Sequence, residues 1–172
     1  MPLRRAVVMY DPAMTARSAD PSETGALARL WYEGWQDAHA TILPATLARA
    51  RTRESFAERM AVALADVRVI GPQGAPLGFA MLKGDELYQF YVASQARGAG
   101  IAAALMADAE ALLSARGVET AWLACAIGNA RAARFYEKSG WHLAKTMVSR
   151  LDTADGPFDL EVWRYEKRLA HR

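Results

Sequence analysis

A glycine-containing turn near the middle of the chain has residue types and spacing that suit phosphate binding. It reads Gln95-Ala96-Arg97-Gly98-Ala99-Gly100 and lies between an aromatic-rich segment, 86–92, and an alanine-rich one. The first segment predicts a β-strand and the second a helix. Such a turn points unpaired N–H groups and the positive end of a helix dipole at one place. Gly98 and Gly100 permit close backbone approach and unusual dihedrals, and Arg97 adds a charge-assisted contact. We therefore predict that a phosphorylated ligand binds here.

Two better-known phosphate motifs do not fit this turn. A P-loop needs Lys followed by Ser or Thr directly after its last glycine, and Gly98 and Gly100 lack that continuation. The dinucleotide fingerprint G-x-G-x-x-[GA] is matched in letters by Gly98, Gly100 and Ala103. That fingerprint belongs near the start of a repeated βαβ array, however, and about half of this chain precedes the turn.

A second segment downstream adds specificity to the first. It runs from Asn129 to Trp141 and reads NARAARFYEKSGW. The pattern Q-x-x-G-x-G after a strand resembles the pyrophosphate-binding motif of the GNAT superfamily of acyl-CoA N-acyltransferases. The downstream segment resembles the family's N-x-x-A-x-x-F-Y-E-K-x-G-[FW] block, at the separation that the family shows. The resemblance is close over residues 78–142 and looser toward both ends.

The resemblance implies a fold and a cofactor. The expected fold is α/β (α+β mixed), with a central mixed, mostly antiparallel sheet of six to seven strands, helices on both faces and a splayed parallel strand pair. Acetyl-CoA is the implied co-substrate, with its pantetheine arm in the opening between those strands, and no metal is implied. The implied cofactor-binding residues are Phe90, Tyr91, Val92, Gln95, Arg97, Gly98, Ala99, Gly100, Ile101, Ala102, Asn129 and Tyr136.

The resemblance also suggests catalytic roles. Tyr136 matches the family's tyrosine that protonates the leaving thiolate, although an aromatic packing its helix on the sheet is the alternative. Glu86 matches a glutamate that serves some members as general base, directly or through a water, and a solvent-facing charge beside a turn is its alternative. Gln89 is placed to orient a water, and His39 is the second candidate base. The N–H of Val92 is the candidate stabiliser of the oxyanion.

The first helices are implied to form the acceptor side of the cleft. We name Tyr32, Trp35 and His39 as candidate substrate-binding residues, while noting that Trp31 and Trp35 lie on an apolar helical stripe that also suits the core. Cys125 is interpreted as a buried small thiol rather than a nucleophile.

Hydrophobic periodicity and turn residues predict the elements that position these groups. In the central strand, apolar residues at consecutive positions indicate either a β-bulge or burial on both faces. The other predicted elements are a first strand over 14–19, helices over 21–42, 45–65 with a break near Thr52, 100–116 and 129–140, strands over 67–70, 77–82, 120–126, 142–150 and 158–168, and a loop over 152–157.

Composition limits the domain organisation and the partners. The chain has 172 residues, a net charge of +2 and one cysteine. We expect an N-terminal extension over residues 1–13 and a single acyltransferase domain over 14–172. The small charge argues against nucleic acid or a membrane as partner, and the lone cysteine favours a cytoplasmic protein. The resemblance allows a homodimer through the last strands.

The leading functional hypothesis is transfer of an acetyl group from acetyl-CoA to a primary amine by direct attack in a ternary complex. The acceptor is a small-molecule or peptide amine. A non-catalytic acyl-CoA sensor or scaffold is the alternative from a different class. An O-acyltransferase, or a transferase for longer acyl chains, is a third hypothesis.

Overall fold

A computed structural model describes residues 14–170, so the extension predicted at residues 1–13 lies outside the described part. Short 3₁₀ turns accompany the main elements at Pro21–Glu23, Leu64–Asp66 and Ser94–Ala96. In chain order the elements are β1 Arg17–Ser18, α1 Thr24–His39, α2 Ala45–Ala50, α3 Arg53–Ala63, β2 Val67–Ile70, β3 Gly78–Lys83, β4 Glu86–Val92, α4 Ile101–Ala115, β5 Thr120–Ala126, α5 Ala130–Lys138, β6 His142–Thr153 and β7 Gly156–Arg168.

The strands form one seven-stranded mixed sheet in the order β1-β2-β3-β4-β5-β7-β6. Each pair is antiparallel except β4 and β5. Those two parallel strands share one register pair within residues 14–170, Glu86 with Trp122, and separate beyond it. The predicted fold class and its splayed parallel pair are therefore confirmed.

Helices cover both faces of this sheet. Phe79 on β3 lies opposite Tyr91 on β4, so their side chains share a face, and Phe79 packs on Trp31 of α1 with ring centroids 6.0 Å apart. Phe90 points to the opposite face because side chains alternate along a strand. There it stacks on Phe135 of α5 at 5.5 Å. The catalytic candidates on β4 thus lie between two helical layers.

The central strand contains the β-bulge that its sequence indicated. Leu82 of β3 pairs with Leu87, whereas the preceding Met81 pairs with Gln89, which leaves Tyr88 as the extra residue of β4. Leu87 is buried and the residues that follow it on β4 are only half-buried. The bulge accounts for the consecutive apolar residues Leu87 and Tyr88. Phe90 and Tyr91 are both apolar because helices cover both faces of β4 at that point.

The final hairpin is longer than predicted. The loop expected over 152–157 is wrong, because β6 continues to Thr153 and β7 begins at Gly156. The Thr153 hydroxyl donates to the Gly156 carbonyl at 2.6 Å and accepts from the Asp155 N–H at 3.2 Å, which closes a two-residue turn. Gly156 has a φ of 102°, a conformation that favours glycine.

The first strand is also shorter than predicted, since only Arg17 and Ser18 pair with β2. The helix predicted over 45–65 is interrupted where expected, near Thr52, whose side chain caps α3 by accepting from the Ser55 N–H at 3.2 Å. Arg51 at this break is buried.

An ion pair between the buried Glu23 and the half-buried Arg17 fixes the start of the first helix. The side chain of Asp20 caps the 3₁₀ turn that leads into α1, and Glu23 completes a capping box by accepting from the Asp20 N–H at 3.0 Å. The two guanidinium nitrogens of Arg17 donate to the Glu23 carboxylate at 2.7 and 2.8 Å, and the Gly74 N–H donates to it at 3.0 Å. These contacts tie β1, α1 and the β2–β3 loop together.

Candidate active site

The glycine turn leaves a run of backbone amides without partners. The first amide of α4 that bonds to a turn carbonyl is that of Ala104, which donates to Gly100 at 3.1 Å. The N–H groups from Gly98 to Ala103 have no acceptor within residues 14–170. Gly98 and Gly100 have φ values of 82° and 78°, so both need glycine for the backbone conformation itself. The result is an exposed set of donors at the positive end of a 15-residue helix.

Beside the turn, β4 offers free backbone groups as well. The Ala93 N–H donates to the Leu77 carbonyl at 2.7 Å, which shows that this residue bonds toward β3. In an antiparallel ladder, alternate residues bond to the same neighbour. The N–H and C=O groups of Phe90 and Val92 therefore point toward β5, from which β4 has already separated. The Val92 N–H, the candidate oxyanion donor, faces this gap.

These amides and strand groups border a cleft of about 410 Å³, which we call the turn-side cleft. Gln95 and Ala99 are absent from its lining, although Gln95 borders the neighbouring depression between the turn and α1. The other predicted cofactor-binding residues all line the cleft: Phe90, Tyr91, Val92, Arg97, Gly98, Gly100, Ile101, Ala102, Asn129 and Tyr136.

Two arginines at the rim of the turn-side cleft share one carboxylate. Arg97 from the turn and Arg131 from α5 donate to the same oxygen of Asp37, on α1, at 2.8 and 3.0 Å. The hydrogen bonds from these arginines hold the pKa of Asp37 below its usual value. The pairs are exposed to solvent, so they are weak and exchangeable.

A second cavity of about 150 Å³, the inner cavity, lies on the other side of the gap. Its walls include Glu86, Gln89 and Cys125, together with residues of α1, α2, β6 and β7. The residues that line both the turn-side cleft and the inner cavity are Phe90, Tyr91, Asn129, Ala132 and Tyr136. The two spaces therefore meet at the point where β4 and β5 separate.

Glu86 has the electrostatics of a base that works near neutral pH. Its side chain lines the inner cavity, where burial raises the pKa to about 7, and the nearby Asp85 adds to the rise. Lys83 and Arg164 act in the opposite direction but do not cancel the effect of burial. Glu86 is the first residue of β4, so its carboxylate lies at one end of the wall that β4 forms in the inner cavity.

Tyr136 and Asn129 lie together on the shared wall. Tyr136 is 9% exposed, and burial raises the pKa of its hydroxyl, which has no hydrogen-bond partner in the described part of the chain. Its ring is held between Phe135 and Tyr165, at 5.8 and 6.0 Å. Asn129 caps α5, since its Oδ1 accepts from the Ala132 N–H at 3.3 Å. Tyr136 thus presents a protonated hydroxyl to the junction.

Cys125 also lines the inner cavity but is a poor nucleophile. Its side chain is buried, and burial raises the pKa of its thiol to about 12. A thiol in that state carries almost no thiolate at neutral pH. The interpretation of Cys125 as a buried small thiol fits this environment.

The three predicted acceptor-side residues do not all line the same cavity. Trp35 and His39 line the inner cavity. Burial lowers the pKa of His39 to about 4 and outweighs a hydrogen bond with the Trp35 backbone, which acts in the opposite direction, so the imidazole is neutral. Tyr32 instead packs against Phe56 with centroids 5.8 Å apart and lies outside the lining of the inner cavity.

Sequence reasoning missed two arginines of the inner cavity, Arg51 and Arg59. Arg59 lies three residues after the buried Phe56 on α3, which places the two side chains on one helix face. That spacing was the only sequence signal for Arg59. Arg51 has none, because it stands in a helix break among other arginines.

Within residues 14–170, neither a candidate metal cluster nor a candidate membrane span accompanies this site. The described residues contain no group of His, Cys, Asp and Glu side chains that suits a metal ion. None of their helices combines the length and apolar character needed to cross a bilayer.

Comparison with known proteins identifies the fold. The model of the acetyltransferase (GNAT) family matches residues 25–141. A GCN5-related N-acetyltransferase from Rhodopseudomonas palustris superposes with a TM-score of 0.71 at 23% identity, covering 94% of this chain and 98% of that one. The PaiA N-acetyltransferase from Thermoplasma acidophilum, solved in complex with coenzyme A, gives 0.68 at 18% identity, covering 89% and 97%.

A third structure, yncA from Salmonella typhimurium with its cofactor acetyl-CoA, gives a TM-score of 0.64 at 17% identity, covering 92% of this chain and 95% of that one. At these identities the structural likeness shows the fold alone. A search of curated proteins found no match.

Proposed function

Because the chain belongs to the GNAT acetyltransferase family, we propose that it transfers an acetyl group from acetyl-CoA to a primary amine, by direct attack in a ternary complex. The observation that carries this proposal is the meeting of two spaces at the gap between β4 and β5. One space is bordered by free amides, and the other contains a carboxylate of raised pKa.

The turn-side cleft fits the cofactor. The amides from Gly98 to Ala103 are unpaired donors at a helix N-terminus, which is the arrangement that binds phosphate groups. Arg97 and Arg131 at the rim add positive charge once they exchange Asp37 for a phosphate. Phe90 and Val92 offer strand groups to the amides of a pantetheine arm. Acetyl-CoA, when bound, supplies the thioester whose acetyl group is transferred.

Different side chains near the junction of the two cavities carry out the separate proton transfers. Glu86 accepts a proton from the ammonium form of the acceptor, directly or through a water, because its pKa of about 7 leaves a useful carboxylate fraction at neutral pH. The Val92 N–H stabilises the negative charge on the carbonyl oxygen. Tyr136 donates its hydroxyl proton to the departing sulfur. The new bond joins the amine nitrogen to the acetyl carbon, and the carbon–sulfur bond breaks. The nitrogen then loses its second proton, which restores the Tyr136 hydroxyl, and Glu86 releases the first proton to solvent.

Direct attack is favoured over a covalent acyl-enzyme. The pKa of about 12 keeps the Cys125 thiol protonated, and Cys125 is the single cysteine of the chain. A step through this thiol would need a base to activate it. Its Sγ instead lies 3.7 Å from the Ala126 carbonyl and 3.9 Å from that of Asn129.

Release of free CoA thiol from acetyl-CoA, measured with and without a panel of primary amines, tests this proposal. We expect thiol release that depends on the amine and that yields one acetylated amine per thiol. A protein that binds acetyl-CoA tightly but releases no thiol with any amine would be a sensor or scaffold instead. Thiol release with alcohols but not amines would indicate O-acyl transfer.

A further inference from the structure

Two arginines of the inner cavity have no carboxylate partner among the described residues. Arg51 and Arg59 line the inner cavity and also a wider depression of about 540 Å³, the outer groove. Trp31 and Tyr88 are the other residues that line both spaces. An acceptor that enters through the outer groove therefore passes the two arginines before it reaches Glu86.

Arg51 is buried without a carboxylate partner. It is 5% exposed, and the one hydrogen bond that its side chain makes within residues 14–170 runs from Nη1 to the Asp152 carbonyl at the tip of the last hairpin, at 2.9 Å. No ion pair involves Arg51 within residues 14–170. Buried charges are normally paired because desolvation is costly. The remaining guanidinium donors of Arg51 are thus available to a ligand.

Arg59 and Trp31 extend this set of donors. The Arg59 guanidinium lies over the Trp31 ring, 4.2 Å from its centroid, and forms no ion pair in the part of the chain that the structure describes. The Trp31 Nε1 is buried and has no acceptor there. The pKa of Arg51 is lowered to about 10, first by burial and then by the charge of Arg59. Two cationic side chains and one neutral N–H donor therefore line the passage between the outer groove and the inner cavity.

Carboxylates nearby do not neutralise the pair. Glu86 is the one carboxylate among residues 14–170 that lines the inner cavity. Glu58, Asp66 and Asp152 line the outer groove, yet none lies within ion-pair distance of either arginine. A second positive charge on the acceptor would be repelled here, whereas a negative charge would relieve the repulsion between the arginines.

We propose that the acceptor is a small amine that also carries an oxyanion, with the anion held by Arg51, Arg59 and the Trp31 Nε1 while the amine reaches Glu86. A guanidinium fork matches the planar geometry of a carboxylate, and it also binds phosphate. A cavity of about 150 Å³ suits a ligand of about benzene size, so a small amino acid fits it. This inference rests on the proposed function, since it names the substrate class of the same site.

Matched acceptor pairs test the inference. Glycine, β-alanine and leucine are each compared with their amides, and phosphoethanolamine with ethanolamine. We expect the anionic member of at least one pair to have a kcat/KM about tenfold or more above its neutral partner, because a hydrogen-bonded charge is worth that factor. The amino acids test a carboxylate as the anion, and the phosphoethanolamine pair tests a phosphate. Calorimetry of the same pairs in the presence of CoA gives a readout independent of turnover.

Variants assign the preference to the arginines. Arg59→Met should reduce the preference for the anion to about twofold or less, and Arg51→Lys should weaken it while keeping the buried charge. Arg53→Met is the control, because Arg53 is exposed over the Tyr32 ring at 4.3 Å and lines neither space. We choose Arg51→Lys rather than Arg51→Met because the methionine would remove the hydrogen bond to the hairpin tip at Asp152.

The inference fails if no pair shows preference for the anion in turnover or binding, or if Arg59→Met retains the preference. Thermal stabilisation by acetyl-CoA, measured on the same samples, separates the two failures. Stabilisation without an anion preference overturns the acceptor class alone. Loss of both stabilisation and thiol release overturns the proposed function as well.

Discussion

At the scale of single residues, Glu86 gives the site a defined pH dependence. A base must be deprotonated to work, and burial raises the pKa of this carboxyl to about 7. We expect kcat/KM to rise with pH through an inflection near 7. Glu86→Gln should remove this inflection and lower kcat/KM about 100-fold or more. A full pH profile of both proteins measures the effect.

Asp85 provides the matched control for Glu86. It is exposed, bonds to the Trp122 indole N–H at 3.0 Å and contributes to the raised pKa of Glu86. Asp85→Asn should therefore shift the inflection to lower pH and leave the maximum rate nearly unchanged. An unaltered profile in Glu86→Gln would remove Glu86 from the mechanism.

Tyr136 is expected to act through its hydroxyl rather than its ring. Tyr136→Phe keeps the aromatic packing between Phe135 and Tyr165 but removes the proton donor. We predict that kcat falls about 100-fold while the Kd of acetyl-CoA changes less than about twofold. Steady-state kinetics and calorimetry on one preparation separate these quantities.

Tyr165→Phe serves as the control for this change, since its hydroxyl bonds to Glu137 and lies outside both cavities. Equal turnover in Tyr136→Phe and the parent protein would leave Tyr136 with a packing role only.

At the scale of elements, the buried Glu23 carboxylate links α1 to its neighbours. The hydrogen bonds from Arg17 lower its pKa from 4.5 to about 2. Because the folded pKa lies below the ordinary value, this stabilisation is fully present above about pH 4.5 and is lost as the pH falls toward 2. Glu23→Gln should lower the free energy of unfolding at pH 7 by about 3 kcal/mol, since it removes the interactions that lower the pKa of this carboxylate from 4.5 to about 2.

Urea unfolding between pH 2 and pH 7 measures this contribution. The difference between the parent protein and Glu23→Gln should shrink as the pH approaches 2. Glu54→Gln, an exposed change in the first turn of α3, is the control and should be nearly neutral. A constant difference across that pH range would contradict the assigned role of Glu23.

Some elements were predictable because a local rule determines them. Thr52 caps α3, so the helix break could be predicted from the cap and its neighbours. The bulge at Tyr88 was visible as a failure of strand alternation. The final hairpin was predicted incorrectly, because Asp and Gly at 155–156 suggest a loop while the observed turn depends on the Thr153 hydroxyl.

The cavities themselves were beyond prediction from the sequence. Arg51 and Arg59 have charged neighbours in the sequence and would be expected on a solvated face. Only the docking of the β6–β7 tip on Arg51, and of Trp31 under Arg59, converts them into the wall of a cavity. Glu86 and Tyr136 were found because a motif or a strand position pointed to them.

In the molecule as a whole, the proposed acetyl transfer depends on a sheet that opens between two cavities. β4 and β5 meet at one register pair and then separate, so a ligand on one face can reach a group on the other. The free amides of α4 hold one end of this passage, and the arginine pair borders the other. Acetyl transfer by this route requires that acetyl-CoA bind through those amides.

Calorimetric titration of acetyl-CoA tests this requirement, with Ala103→Glu and Ala107→Glu as a matched pair. Both positions are exposed on α4, but only Ala103 lines the turn-side cleft. A glutamate in the first turn stabilises a helix, so Ala103→Glu leaves α4 intact. Acetyl-CoA at a concentration of about 100 times its Kd should also raise the Tm of the parent protein by about 5 °C or more.

We predict that acetyl-CoA binds the parent protein and Ala107→Glu with similar Kd, and that Ala103→Glu weakens binding about 100-fold or more because its carboxylate repels the diphosphate. Equal affinity in all three proteins, or no binding to the parent protein, would contradict the account.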